Sequence, residues 1–102
     1  MMKTISKGRL GVIKRVKTKE GTYYEYVARG NRKECMLYII SLAEDLLKLS
    51  WSIYEHLTLH VYPKPMCAYF SIIRYNRNQT ESLRIEYEIS KYTQNNETAK
   101  TK

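Results

Sequence analysis

The chain has 102 residues, 43% of them apolar, and a net charge of +8, which is enough for one hydrophobic core and excludes a disordered chain. No apolar run approaches the roughly 20 residues that span a bilayer, and Met1-Met2-Lys3-Thr4-Ile5-Ser6-Lys7-Gly8 lacks the apolar block of a signal peptide. A membrane partner is therefore not expected, and the cytoplasm is the expected location.

Residues 1–7 are polar and without period, and read as a flexible basic arm. From Leu10 the pattern is strand-like, with Leu10, Val12 and Val16 on even positions. Lys19-Glu20-Gly21-Thr22 signals a turn, and Tyr23-Tyr24-Glu25-Tyr26-Val27-Ala28 is aromatic and β-branched, so the two runs predict a β-hairpin.

Asn31 followed three residues later by Glu34 has the chemistry of a capping box: the Asn side chain accepts from first-turn N–H groups and the Glu reaches back. Residues 32–49 then carry Met36, Leu37, Ile39, Ile40, Leu42, Ala43, Leu46, Leu47 and Leu49 without Gly or Pro, which predicts a helix. At about 100° per residue, Glu34, Ser41, Glu44, Asp45 and Lys48 gather in a narrow stripe. The remaining circumference is apolar, more than one sheet face is expected to hide.

His56-Leu57-Thr58-Leu59-His60-Val61-Tyr62 alternates, Pro63-Lys64-Pro65 breaks it, and Cys67-Ala68-Tyr69-Phe70-Ser71-Ile72-Ile73-Arg74 is a second apolar strand. At an offset of 45 residues Val12 falls on Leu57, Val16 on Val61, Tyr24 on Tyr69, Val27 on Ile72, and the pair Asn31/Glu34 on Asn76/Gln79. The predicted fold is therefore α+β, a single domain over 1–102 with two ββα units, 8–50 and 51–93, related by internal duplication. This requires a helix at about 77–93, for which Ile85, Ile89 and Tyr92 form an i, i+4, i+7 stripe. Leu83-Arg84-Ile85-Glu86-Tyr87-Glu88-Ile89-Ser90 also alternates as a half-buried strand does. The alternative is thus ββα followed by three antiparallel strands. Residues 94–102 read as a disordered tail.

The charge is unevenly placed. Residues 1–33 carry ten Lys or Arg against Glu20 and Glu25, whereas residues 34–102 carry eight bases against eight acids. Such asymmetry suits an anionic partner, nucleic acid above all, with Lys14, Arg15, Lys17 and Lys19 as the candidate contacts beside Tyr23. A solvated strand face is the competing explanation.

Chemistry is sparse. Gly8, Gly11, Gly21 and Gly30 never approach phosphate-loop spacing, and no G-x-S-x-G is present. His56 and His60 lie in an alternating segment, where four residues span roughly 13 Å, too far for one ion. Cys35 and Cys67 lie in apolar contexts and read as buried thiols, with a disulfide as the alternative. No enzyme activity, cofactor or metal is expected. Ten tyrosines are many for this length; Tyr24, Tyr26, Tyr69 and Tyr87 suit a sheet–helix core, while Tyr23, Tyr62 and Tyr75, at strand ends or turns, suit partner contacts.

Arg29-Gly30-Asn31-Arg32 and Tyr23-Tyr24-Glu25-Tyr26, in a small chain rich in Tyr, Ile and Lys, resemble segments of orphan proteins from filamentous viruses of thermophilic archaea, the lipothrixviruses of Acidianus. The resemblance implies expression in an archaeal host cytoplasm, with no assigned biochemical activity, and transfers no site residue. It strengthens the disulfide alternative, because hyperthermophiles keep intracellular disulfides.

The expected function is non-enzymatic binding of a protein or peptide segment in a groove between the two units. Strand-edge backbone would supply affinity and tyrosines packing, and the occupant is either another protein or a neighbouring copy. Nucleic acid at the basic N-terminal hairpin is the alternative.

Overall fold

Lys19 and Glu20 alone separate two runs of strand-forming residues, and Gly21, at φ 139°, takes the backbone conformation that L side chains rarely adopt. The chain therefore reverses tightly, and β1 (Leu10–Thr18) pairs with β2 (Gly21–Gly30) over its whole length. The computed structural model describes residues 9–92; the expected arm 1–7 and tail 94–102 lie outside them. After β2 come α1 (Arg32–Leu47), β3 (Glu55–Tyr62), β4 (Cys67–Tyr75) and β5 (Glu81–Lys91).

The five strands form one antiparallel sheet in the order β2-β1-β5-β4-β3. Helix α1 leaves one edge strand, β2, crosses a single face, and delivers the chain to the other edge strand, β3. The last strand, β5, then inserts between the two hairpins. One sheet with one helix overturns the two-unit prediction: no second helix and no seam between units exist among the described residues.

The physical reason lies in residues 76–91. The Asn76/Gln79 pair, which matched a helix cap, closes a turn instead. The Asn76 N–H donates to the Thr80 carbonyl at 2.8 Å, the Gln79 N–H donates to the Asn76 carbonyl at 2.8 Å, and Gln79 sits at φ 68°. Beyond that turn the alternation prevails over the helical stripe, because a central strand needs two different faces. Leu83, Ile85, Tyr87 and Ile89 point to the helix side, while Arg84, Glu86 and Glu88 point to the other. The spacing Arg84/Glu88, suited to a helix, is not used. Arg84 instead pairs with Glu81 at 2.8 Å and Glu86 at 3.4 Å.

Helix α1 begins as its sequence predicts. The Glu34 N–H donates to Asn31 Oδ1 and the Asn31 N–H donates to Glu34 Oε1, each at 2.8 Å. Its Cys35, Ile39 and Ala43, one turn apart, press on Val12, Ala68, Phe70, Ile72 and Tyr87 of the sheet. Five strands are wide enough to half-bury Met36, Tyr38, Ile40, Leu42 and Leu46 as well. The excess of apolar circumference is thus smaller than expected, though Leu37 and Leu47 stay exposed.

Candidate protein-binding edge

Directly paired residues share a sheet face, so the registers sort every candidate side chain. One row across the sheet runs Leu59–Phe70–Tyr87–Lys14–Glu25 and lies on the helix side. The next runs His60–Tyr69–Glu88–Ile13–Tyr26 on the open side. Lys14 is therefore on one face and Arg15 and Lys17 on the other, with Lys19 at the hairpin tip. The four predicted phosphate contacts do not form one patch.

Arg15 is also engaged. Its guanidinium lies 3.0 Å from Glu88 and 3.7 Å from Glu86, and Glu86 accepts from the Tyr69 hydroxyl at 2.6 Å. Arg84 joins the same carboxylate, so the middle of the open face is a network linking β1, β5 and β4. Burial, then the hydrogen bond to Glu86, pushes the Tyr69 phenol above its ordinary value. The network neutralises Arg15 and Arg84, two of the cations by which this face would hold an anion.

The tyrosines are dispersed too. Tyr87 is in the core, but Tyr24, Tyr26 and Tyr69, expected there, lie half-buried on the open face. Tyr26 crosses the space above Gly11, where a Cβ would come 2.7 Å from its ring, and its hydroxyl donates to the Lys91 carbonyl at 2.6 Å. Of the three contact candidates, Tyr23 is on edge strand β2, Tyr62 is on edge strand β3, and Tyr75 ends β4. The structure does not bring them together. Tyr75 instead lines an open recess of about 520 Å³ with Ile53, Tyr54, Asn76, Arg77 and Gln79.

The two sheet edges differ in kind. Strand β2 carries Glu25 and Arg29, and its register slips so that Val27 has no partner on β1, a bulge that twists the edge. Bulges and charges are the usual devices that keep an edge from pairing. Strand β3, Glu55-His56-Leu57-Thr58-Leu59-His60-Val61-Tyr62, has an unbroken register and no Lys, Arg, Pro or Gly. Its one formal charge is turned inward: Glu55 accepts from the Ser52 N–H at 2.8 Å and from Arg74 at 2.9 Å. The Ser52 N–H, then Arg74, holds that carboxyl below the usual carboxylate range.

Exposed apolar side chains gather at the same edge. Among the described residues, nine large hydrophobics are exposed, and five of them, Ile53, Tyr54, Val61, Tyr62 and Met66, lie on or beside β3. Ile53 is 93% exposed. Only Tyr23 marks β2. Alternation and the absence of charge in residues 56–62 were visible in the sequence, but that β3 would be an edge depends on where β5 inserts, which is a non-local fact.

His56 and His60 both face the open side, four residues apart on one strand. The His60 ring lies near Tyr62 and Tyr69, with centroids 6.2 and 6.1 Å away. Among the described residues no group of three His, Cys, Asp or Glu is placed to hold a metal, and no helix is long and apolar enough to cross a membrane.

The cysteines are unbonded. Cys35 packs under the helix at 1% exposure, whereas Cys67, paired with Tyr62, alternates with Ala68 onto the open face. The sheet lies between them, which removes the disulfide alternative, and Cys67 is only half-buried. Burial, then the Glu34 carboxylate, pushes the Cys35 thiol above its ordinary value, so its thiolate is scarce at neutral pH. Alkylation of the native protein followed by mass spectrometry is expected to label Cys67 first and Cys35 only after denaturation. Equal rates would contradict the packing of α1.

Compared with protein-family models, curated proteins and solved structures, the chain finds no match, so neither family membership nor the viral resemblance enters the functional argument.

Proposed function

We propose that this protein is a non-enzymatic protein-binding module that takes up an extended segment along the outer edge of β3. One observation carries the reading: a regular, unbulged edge strand whose one formal charge, Glu55, is tied to Arg74, with five of the nine exposed large hydrophobics of the described residues on or beside it, in a molecule whose other edge is blunted. An edge strand offers a row of backbone N–H and C=O groups to an incoming strand, so affinity comes from the main chain and sequence preference is loose. Val61 and Tyr62 add packing on the two faces. The binding surface is thus an edge, which replaces the groove expected between two units.

Selection of extended peptides from a displayed random library tests this. Wild-type protein is expected to enrich sequences of alternating β-branched and aromatic residues, and Val61→Lys, which places a charge on the edge, is expected to abolish the enrichment. Peptides that bind Val61→Lys equally well, or that are lost with Tyr23→Lys on β2 instead, would refute the assignment to β3.

A further inference from the structure

The geometry points to a second copy of this chain as the partner of the β3 edge, an inference that rests on the edge reading above. Two antiparallel edge strands joined into one sheet by a two-fold axis have that axis perpendicular to the sheet. Each residue then faces one from the same side of the sheet, and only registers centred on a residue are allowed.

Centring on Leu59 matches the strand to itself. Leu59 meets Leu59 of the copy, and Leu57 meets Val61, which extends the helix-side row Leu57, Leu59, Val61 across the interface. On the open side, His56 meets Tyr62 and Thr58 meets His60. No charged pair is opposed, and Glu55, tied to Arg74, falls opposite Pro63 beyond the ladder. Centring on Thr58 would set Glu55 against Val61, and centring on His60 would shorten the paired stretch.

The flanks agree with this register. Residues 52–55 of one copy lie alongside residues 63–66 of the other. Exposed Ile53 and Tyr54, beside the open recess, thus approach exposed Met66 at the opposite end of the neighbouring strand. The apolar side chains that crowd both ends of β3 are complementary to each other under the two-fold, which an arbitrary foreign peptide would not require.

Charge agrees as well. The net +8 arises in residues 1–33, and the described part of that segment builds β1 and β2, the half of the sheet remote from β3. Two copies joined at β3 keep these basic halves at the outer ends of a ten-stranded sheet, where repulsion across a Debye length of about 10 Å is screened. Both helices lie on one face. The seven-residue ladder, 56–62, is about 24 Å long, so the contact sits at the low end of specific interfaces, about 1,200 Å² in total, the size class of weak and transient association.

Sedimentation equilibrium of the full chain, from a few to several hundred micromolar, tests the inference. Wild type is expected to pass from monomer to dimer, Val61→Lys to weaken association at least tenfold, and Tyr23→Lys to leave it unchanged. Amide exchange on wild type at two concentrations provides a readout that does not depend on the variant's folding: alternate β3 amides are expected to slow at the higher one. A wild type that stays monomeric, β3 exchange independent of concentration, or a dimer dissolved by Tyr23→Lys alone would overturn it. If the protein is monomeric yet binds displayed peptides in a Val61-dependent way, the edge reading stands and the second copy is excluded.

Discussion

Replacing Phe70 by Ala is expected to cost about 3–5 kcal/mol of stability, the range for truncating a fully buried aromatic. Phe70 is 0% exposed and sits in β4, flanked by Leu59 on β3 and Tyr87 on β5, with its ring centroid 6.1 Å from that of Tyr87. Both neighbouring strands are fixed by their own ladders, so the cavity can close only partly. A domain of this size has about 5–15 kcal/mol in total, and the variant would lose much of it. Urea denaturation checks the figure: the midpoint should fall with little change in slope. Leu37→Ala, on the exposed side of α1 at 47% exposure, is the control, with an expected change within about 0.5 kcal/mol. A Phe70→Ala loss as small as the control's would mean that the helix does not seat on the sheet centre.

The elements that read correctly from sequence are those decided by their neighbours in the chain. The first hairpin is set by Lys19-Glu20-Gly21, the helix start by Asn31 and Glu34, and the β3–β4 pair by alternation on either side of Pro63-Lys64-Pro65. Strand β5 was ambiguous because Ile85 and Ile89 serve a helical stripe and an alternating face equally well. What decides it is remote: β1 supplies Arg15 opposite Glu86 and beside Glu88, and β4 supplies Phe70 opposite Tyr87. Neither partner is adjacent in sequence. The candidate contact residues are dispersed for a simpler, local reason. Lys14, Arg15 and Lys17 looked like one cluster because they are adjacent, yet alternation divides them between two faces. Of the three tyrosines expected at contacts, Tyr62 lies on the β3 edge, Tyr23 on the β2 edge and Tyr75 at the end of β4.

Arg15→Glu should show how far the open face is structural. In the native sheet Arg15 lies between Glu86 and Glu88, its side chain 34% exposed and theirs 20% and 39%. Partly exposed ion pairs contribute modestly, up to about 1 kcal/mol each, but reversal also sets three carboxylates together across two strands, and like charges facing one another in a sheet repel. The combined cost is expected to be about 2 kcal/mol. The penalty should shrink in high salt, because screening weakens the repulsion, whereas a packing defect would be little affected by salt. Restoring the sign with Glu88→Arg in the same chain is expected to recover part of the loss, and a double-mutant cycle isolates that coupling. A salt-independent loss with no recovery would show that Arg15 acts through its packed stem. A loss below about 0.5 kcal/mol would free Arg15 from its structural role and return it to consideration as a contact for an anionic ligand. With Arg15 committed to Glu86 and Glu88, the open face has little unopposed charge at its centre, and the β3 edge, whose one formal charge is tied to Arg74, is the binding surface we propose.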